Sequence, residues 1–260
     1  GYHRFFKGYI DDIRITTGAS QYDWEDFTLP TDAFTTTSSK CTSCQPHENA
    51  DGQFLMSGNT MWDYYRHPAA YETSFLYPPT IFIDFDSMPP EIGGCVGTCK
   101  FSTTKVCSNT RSVYLDADTY IDMEADKGYF FSANEDFTIE VWVKSSTRTI
   151  DNSFRRTIYM TDRGSLDEIG NLQIAIDTSA GTANIRTTDT DLNLIGRSRR
   201  VDDNGWRHIT VVRYFETLSL YVDGYFDGSV QYAGAISGGN KNNDNGPAPR
   251  FGAYDSSKGR

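Results

Sequence analysis

Apolar and polar residues alternate in short runs along residues 108–260 of this chain. In the run 137–143, the residues Phe137, Ile139, Val141 and Val143 fall on one side, and a period of two is that of a half-buried β-strand. Runs of the same type recur at 112–115, 120–123, 157–160, 172–176, 183–186, 206–213 and 217–222. Turn dipeptides separate them, and we find no amphipathic helix pattern, so we predict an all-β fold, an antiparallel β-sandwich.

The other two segments have different patterns. Residues 1–34 contain one β-type run, from Phe5 to Ile15, followed by a break at Gly18 and an apolar tail. That tail contains Tyr22, Trp24, Phe27 and Leu29. Residues 35–107 hold many Pro and Gly residues and one β-type run at 80–85, which indicates an irregular linker or small domain. We therefore divide the chain at 1–34, 35–107 and 108–260.

The cysteines are confined to the middle segment. They are Cys41, Cys44, Cys95, Cys99 and Cys107. Such clustering in a loop-rich stretch is typical of disulfides formed in an oxidising compartment, so we expect an extracellular or secreted protein. Zinc is the alternative, because Cys41 with Cys44 and Cys95 with Cys99 resemble two half-sites of a zinc site. Their separation of about 50 residues is unlike that of zinc fingers. Five cysteines leave one thiol free or bonded to another chain, and the pairing stays open.

The negative charge of the chain disfavours some classes of binding partner. The formal net charge is −11 and the sequence pI is about 4.8, which disfavours binding to nucleic acid. No run approaches the ~18 apolar residues of a membrane-spanning helix. The acidic excess suits divalent cations, but it equally describes an ordinary solvated surface.

Three stretches of the third segment carry a family likeness. Residues 137–143 (FTIEVWV), 205–213 (GWRHITVVR) and 220–224 (LYVDG) resemble the laminin-G-like, or concanavalin A-like, jelly roll. In that family the pattern ends with a strand of the type Gly-Tyr-Ile-Asp-Asp-Ile-Arg-Ile. Here this strand is found at Gly8 to Ile15, near the start of the chain. The resemblance therefore implies a jelly-roll sandwich whose closing strand precedes its body, as in one repeat cut out of register.

The order of the segments suggests what the protein does. Residues 1–34 are expected to fold back onto residues 108–260 of the same chain, to complete a neighbouring copy, or to belong to one repeat of a longer chain, because the body alone would have an unpaired edge. Our leading hypothesis is an extracellular structural subunit of a filament, surface appendage or adhesin whose partner is itself. The alternative is a lectin-like, glycan-binding module of a secreted multidomain protein.

Calcium is the metal that the resemblance and the carboxylates favour. Many relatives carry one structural calcium, and hard oxygen ligands suit this ion. Asp11 and Asp12 on the closing strand, with Asp116 and Asp118 in the turn after 112–115, converge if that strand docks beside the turn. Ordinary turn and bulge aspartates are the alternative explanation.

Catalytic patterns are weak in this chain. Glycosidases need paired carboxylates facing one cleft, whereas the run 137–143 carries Glu140 alone, and Asp122 with Glu124 fits a solvated edge. We find neither a nucleophile elbow nor a zinc protease motif, and we expect His208 to be structural, so we predict no catalytic residue. Aromatic residues that would suit a sugar or a protein interface are Tyr225, Phe226, Tyr232 and Tyr254.

Overall fold

The computed structural model describes a large part of the 260 residues. The described residues are 6–17, 20, 22, 26–29, 46–48, 54–56, 81–83, 85, 92–97, 99–105, 107, 111–116, 119–123, 131, 133, 135–145, 155–161, 171–187, 192–236 and 249–252. Their regular elements are all strands. These are β1 Gly8–Thr17, β2 Pro46–Glu48, β3 Phe54–Met56, β4 Ile81–Ile83, β5 Ile92–Val96, β6 Lys100–Ser102, β7 Ser112–Leu115, β8 Tyr120–Met123, β9 Phe137–Ser145, β10 Arg155–Met160, β11 Leu172–Asp177, β12 Thr182–Thr187, β13 Asn193–Arg200, β14 Arg207–Tyr214, β15 Thr217–Val222, β16 Tyr225–Gln231 and β17 Arg250–Phe251.

Two antiparallel sheets form the sandwich. The first sheet has the strand order β16-β15-β14-β9-β1-β7-β6, and β4 also pairs with β1. The second has the order β13-β12-β11-β10-β17-β8-β5, and β2 and β3 form a separate pair. The prediction of an all-β antiparallel sandwich is therefore confirmed.

The core lies between the two sheets and follows the alternation read from the sequence. Phe137, Ile139, Val141 and Val143 of β9 are all fully buried in it. Facing them, Ile174, Ile185 and other side chains of the second sheet complete one continuous apolar cluster. Burial of alternate residues against a second sheet is what holds the sandwich together.

Strand β1 lies in the middle of the first sheet, although it comes first in the chain. It pairs with β9 from Gly8 to Thr17, and its other edge pairs with β7 and then β4. Ile10 and Ile13 are fully buried in the core. We call the place that β1 fills, between β9 on one side and β7 with β4 on the other, the slot.

Strands of the middle segment take part in both sheets. β4 pairs with β1 and β6 with β7 in the first sheet, while β5 pairs with β8 in the second. The division into 1–34, 35–107 and 108–260 itself stays a prediction. In the part of the chain that the structure describes, no helix is long and apolar enough to cross a membrane.

Candidate functional site

The two described ends of the sandwich meet where β1 enters the slot. The amide of Phe6 donates a hydrogen bond of 2.7 Å to the carbonyl oxygen of Gly252, directly after β17. Phe6 is fully buried and belongs to the core. The strand that fills the slot therefore starts beside the strand that ends the body of the sandwich.

A bulge interrupts β1 between Asp11 and Ile13. Asp12 at the bulge has a φ of 35°, a region that aspartate tolerates better than most residues. The Asp11 carboxylate accepts hydrogen bonds from the amide of Cys107 at 2.7 Å and from the amide of Asp12 at 3.1 Å. One acidic side chain thus ties the bulge to the segment that precedes β7.

The four aspartates of the expected calcium site are placed differently. Asp11 and Asp12 are fully buried at the bulge, and Asp116 forms an ion pair of 3.3 Å with Lys7. Asp118 lies outside the described residues. Among the described residues, no three His, Cys, Asp or Glu side chains are grouped as a metal site would require. The calcium site stays a prediction.

The cysteines are partly described. Cys95 and Cys99 form a disulfide, and Cys107 carries a free thiol. Burial, followed by the negative charges of Asp11 and Asp12, raises the pKa of this thiol to about 12. Cys41 and Cys44 lie outside the described residues, so their part in the expected disulfide framework stays a prediction.

A buried ion cluster lies on the outer face of the first sheet, the face that points away from the core. It consists of Arg14, Tyr22, Glu140 and His208. The Arg14 Nε donates to Glu140 Oε2 at 2.5 Å, and the Tyr22 hydroxyl donates to Glu140 Oε1 at 2.6 Å. Arg14 Nη2 also donates to the Tyr22 hydroxyl at 3.1 Å, and His208 Nε2 is 3.4 Å from Glu140 Oε1.

Electrostatics in this cluster favour an ionised Glu140. Burial acts to raise the pKa of Glu140, but the Arg14 charge and the hydrogen bonds from His208 and Tyr22 outweigh it and lower the pKa below its usual value. Burial and the Glu140 charge raise the pKa of Tyr22 well above its usual value, so its hydroxyl stays protonated. A fully buried carboxylate of this kind keeps no proton to donate at neutral pH, which argues against a general acid here.

The apolar tail covers this cluster. Phe27 stacks on Tyr22 with ring centroids 3.7 Å apart and contacts Tyr221 at 5.4 Å. The Phe27 amide donates to the Gly224 carbonyl at 2.7 Å. Beneath the tail, the fully buried His208 ring lies 6.1 Å from that of Phe27. Both faces of β9 are thereby buried, which the alternation of 137–143 did not indicate.

An exposed platform occupies one edge of the sandwich, where β13 meets β16. We define the edge platform as Arg199 and Tyr225; the ring of the neighbouring Phe226 instead contacts Tyr221 of β15, with ring centroids 5.7 Å apart. The guanidinium of Arg199 lies 3.8 Å from the centre of the Tyr225 ring, and Tyr225 and Phe226 are 48% and 44% exposed. These two aromatic residues are as accessible as a binding surface requires, whereas Tyr232 is buried and Tyr254 lies outside the described residues.

A buried carboxylate, that of Asp227, joins β16 to β13 next to the edge platform. Asp227 Oδ1 accepts hydrogen bonds from the amide of Ser198 at 2.9 Å and from its hydroxyl at 2.6 Å. The pairing of β13 with β12 is interrupted between Ile195 and Arg200. A Cβ at Gly196 would come within 2.2 Å of Asp227 Oδ2, so glycine is needed for this close approach. The sequence pattern does not indicate this feature, because Asp227 lies 29 positions from Ser198 in the chain.

The other acidic candidates have structural partners. Asp122 forms a hydrogen-bonded ion pair with Arg250 at 2.7 Å across β8 and β17, and Glu124 lies outside the described residues. His208 is fully buried in the ion cluster, and its Nδ1 is 3.1 Å from Thr210 Oγ1. The structure therefore gives these side chains packing and pairing roles.

Two solved structures show a low similarity to this chain. The solved domain 4 of AbnA, an extracellular GH43 arabinanase from Geobacillus stearothermophilus in complex with arabinotriose, is 16% identical over 62% of this chain and 79% of that one, with a TM-score of 0.36. The carbohydrate esterase vb_24B_21 from the Shiga toxin-encoding bacteriophage phi24B is 10% identical over 62% of this chain and 87% of that one, with a TM-score of 0.27. Similarity this low bears on neither ligand nor activity.

The sequence match is more decisive. No curated protein matches the chain. The model of the family Laminin_G_3, described as the concanavalin A-like lectin/glucanases superfamily, matches residues 115–256, more than half of the chain. The resemblance of the three stretches is thus confirmed: the chain belongs to the Laminin_G_3 family of the concanavalin A-like lectin/glucanases superfamily.

Proposed function

We propose that the chain is an extracellular, non-catalytic structural unit that assembles through β1. In the isolated chain β1 fills the slot of its own sandwich, and in the assembled state it fills the slot of a neighbouring copy of a filament, surface appendage or adhesin. Family membership and the Cys95–Cys99 disulfide, both typical of extracellular proteins, support the location.

The observation that carries this proposal is the contact of Phe6 with Gly252 at the entrance of the slot. Because the start of β1 lies against the end of the body, β1 supplied by another copy would meet the same Gly252 carbonyl at the entrance of the slot. Exchange of an identical element between protomers uses contacts that already exist, so it requires no new interface. Open, head-to-tail exchange produces filaments.

Cross-strand cysteines test the proposal. Tyr9 of β1 is paired with Lys144 of β9, so Tyr9→Cys in one chain and Lys144→Cys in another form an interchain disulfide only if β1 changes copies. The two variants are mixed, refolded together and oxidised, and peptide mass spectrometry identifies the disulfide between positions 9 and 144. The double variant, which links within one chain, is the positive control. A link in the double variant with none in the mixture would overturn assembly by strand exchange.

The edge platform supports a second candidate function, a lectin-like module. Exposed aromatic rings offer flat apolar surfaces to the C–H faces of sugars, and Arg199 beside Tyr225 adds hydrogen-bond donors for hydroxyl groups. Binding of neutral oligosaccharides, measured by glycan array and calorimetry, would be lost in Tyr225→Ala but kept in Tyr214→Ala. Absence of binding by the unaltered chain would reject this candidate.

A further inference from the structure

The buried ion cluster is divided between the segment that would be exchanged and the body that would receive it. Arg14 and Tyr22 belong to the first segment, whereas Glu140 and His208 belong to β9 and β14. We propose that Arg14 and Tyr22 are the specificity-determining residues of strand exchange: they select β1 of a second copy of this chain, in one register, by neutralising Glu140 of the slot. This inference rests on the proposed function.

The apolar face of β1 gives little register information. Ile10, Ile13 and Ile15 are all buried and similar in volume. A one-residue slip turns these side chains outward. A two-residue slip that carries the bulge along keeps Ile13 and Ile15 facing the core and brings Thr17 to the place of Ile15. Another feature must therefore distinguish the native register from a slip of two residues.

The outer face of β1 supplies that feature. Arg14 lies directly opposite Glu140 in the strand pairing, and Thr16 lies opposite Thr138. A two-residue slip places Thr16, a neutral side chain, opposite Glu140 and leaves a fully buried carboxylate without its cation. Uncompensated buried charges are strongly unfavourable, and we expect the slipped or foreign strand to be disfavoured on the order of 10²–10³-fold.

Tyr22 makes the selection specific to this chain's own segment. Its hydroxyl accepts from Arg14 and donates to Glu140, so the two oxygens of Glu140 each receive a hydrogen bond from the inserted segment. A second attachment is formed by Asp11, which accepts from the Cys107 amide at the bulge. A strand with similar hydrophobicity but without an arginine and a tyrosine at these spacings fits the core and fails on the outer face.

Complementary variants of the full chain test the inference. Arg14→Met removes the guanidinium that neutralises Glu140, and Glu140→Leu removes the carboxylate that neutralises Arg14, so each chain alone mismatches its own slot. When the two are refolded together, exchange alone brings β1 with Arg14 to the slot with Glu140, and brings the two apolar replacements together in the other slot. We expect each variant alone to yield at least 10²-fold less native assembly than unaltered protein. The mixture should recover most of it in particles that contain both chains.

A second ion pair provides the matched control. Arg250 and Asp122 pair between β17 and β8, which both remain in the body, so Arg250→Met mixed with Asp122→Leu is expected to gain nothing from mixing. The double variant Arg14→Met with Glu140→Leu in one chain measures the pairing without exchange. If the mixture of Arg14→Met and Glu140→Leu yields no more native assembly than either variant alone, selection of a second copy is overturned.

Two further outcomes separate this inference from the proposed function. If the disulfide between positions 9 and 144 forms between copies of otherwise unaltered chains, but Arg14→Met exchanges as well as unaltered β1, assembly stands and the role of Arg14 is overturned. The other outcome is that no interchain disulfide forms, while the chain carrying both Arg14→Met and Glu140→Leu regains the urea midpoint that each of these substitutions lowers alone. In that case the proposed assembly fails, and Arg14 pairs with Glu140 only within one chain.

Discussion

At the scale of single residues, the outer face of the first sheet holds a carboxylate, Glu140, that is fully removed from water. Glu140 and His208 have no exposed side-chain surface, and the Arg14 side chain is only 16% exposed. Pairs of this kind are costly to bury and far more costly to break, because the remaining charge has no solvent to compensate it. Stability at this site therefore depends on keeping both partners.

Glu140→Gln should reveal this dependence through pH. The lowered pKa of Glu140 means that its contribution to stability is present above the unfolded value of about 4.3 and is lost as the pH falls through the folded pKa, which lies below that value. The variant should be less stable by on the order of 3 kcal/mol at pH 7. The difference should shrink below about pH 4.3.

Urea unfolding from about pH 7 down to about pH 3, a range that spans the usual carboxyl pKa, measures this difference. Glu216→Gln, at an exposed position of the turn between β14 and β15, is the control, with an expected change within about 0.5 kcal/mol at neutral pH. A difference between Glu140→Gln and the unaltered chain that stays constant to the acid end of the range would contradict the paired state of Glu140.

Cys107 should resist alkylation in the folded protein. With a pKa of about 12, roughly one thiol in ten thousand is ionised at about pH 8, and the thiolate is the reactive form. Iodoacetamide labelling, followed peptide by peptide with mass spectrometry, is expected to be slow at Cys107 in the native chain and fast in urea. Asp11→Asn should modestly increase the labelling rate of Cys107, whereas Asp116→Asn should leave that rate unchanged. Equal labelling rates in the native protein and in urea would contradict a raised pKa for Cys107.

At the scale of elements, the tail is what turns an ordinary sheet face into a buried one. Asp223 and Gly224, with φ of 54° and 77°, form the hairpin turn expected from the sequence between β15 and β16. Their second role appears only in the fold. The Gly224 carbonyl accepts from Phe27, and a Cβ at Gly224 would lie 2.1 Å from the Phe27 carbonyl oxygen.

Gly224→Asn should therefore release the tail. Asparagine tolerates positive φ, so the turn itself is little affected, whereas the new Cβ displaces the backbone of Phe27. Chymotrypsin cleavage at Phe27 should accelerate by about tenfold, which corresponds to about 1.4 kcal/mol in the opening of the tail. Gly205→Ala is the control, since its Cβ meets the flexible side chain of Asp203; equal cleavage of both variants would mean that Gly224 does not hold the tail.

At the scale of the whole molecule, a strand from the start of the chain completes a body formed mostly by its end. The matched family range, 115–256, does not include β1, and yet β1 lies at the centre of the first sheet. Without it, β9 and β7 would expose unpaired edges and the core would lose Ile10, Ile13 and Ile15.

A circular permutant tests this arrangement. A chain that runs from residue 35 to 260 and then continues with residues 1–34 is expected to fold, because Phe6 already lies against Gly252. Its thermal midpoint should stay within about 4 °C of the original. The same chain without residues 1–34 should not unfold cooperatively, and cooperative unfolding of that shortened chain would show that β1 is dispensable.

The sequence by itself determined the sandwich, the family and the strands with clear alternation, such as β9, because a period of two and the turn dipeptides are local properties of the chain. Strands β13 and β16 were not among the predicted runs. The sequence also identified Gly8 to Ile15 as the closing strand of the sandwich. The pairing of Arg14 with Glu140, 126 positions apart, and the anchoring of Ser198 by Asp227 were decided only by the tertiary structure. Alternation predicts one buried face of a strand, and what covers its other face depends on segments that meet only after the chain has folded.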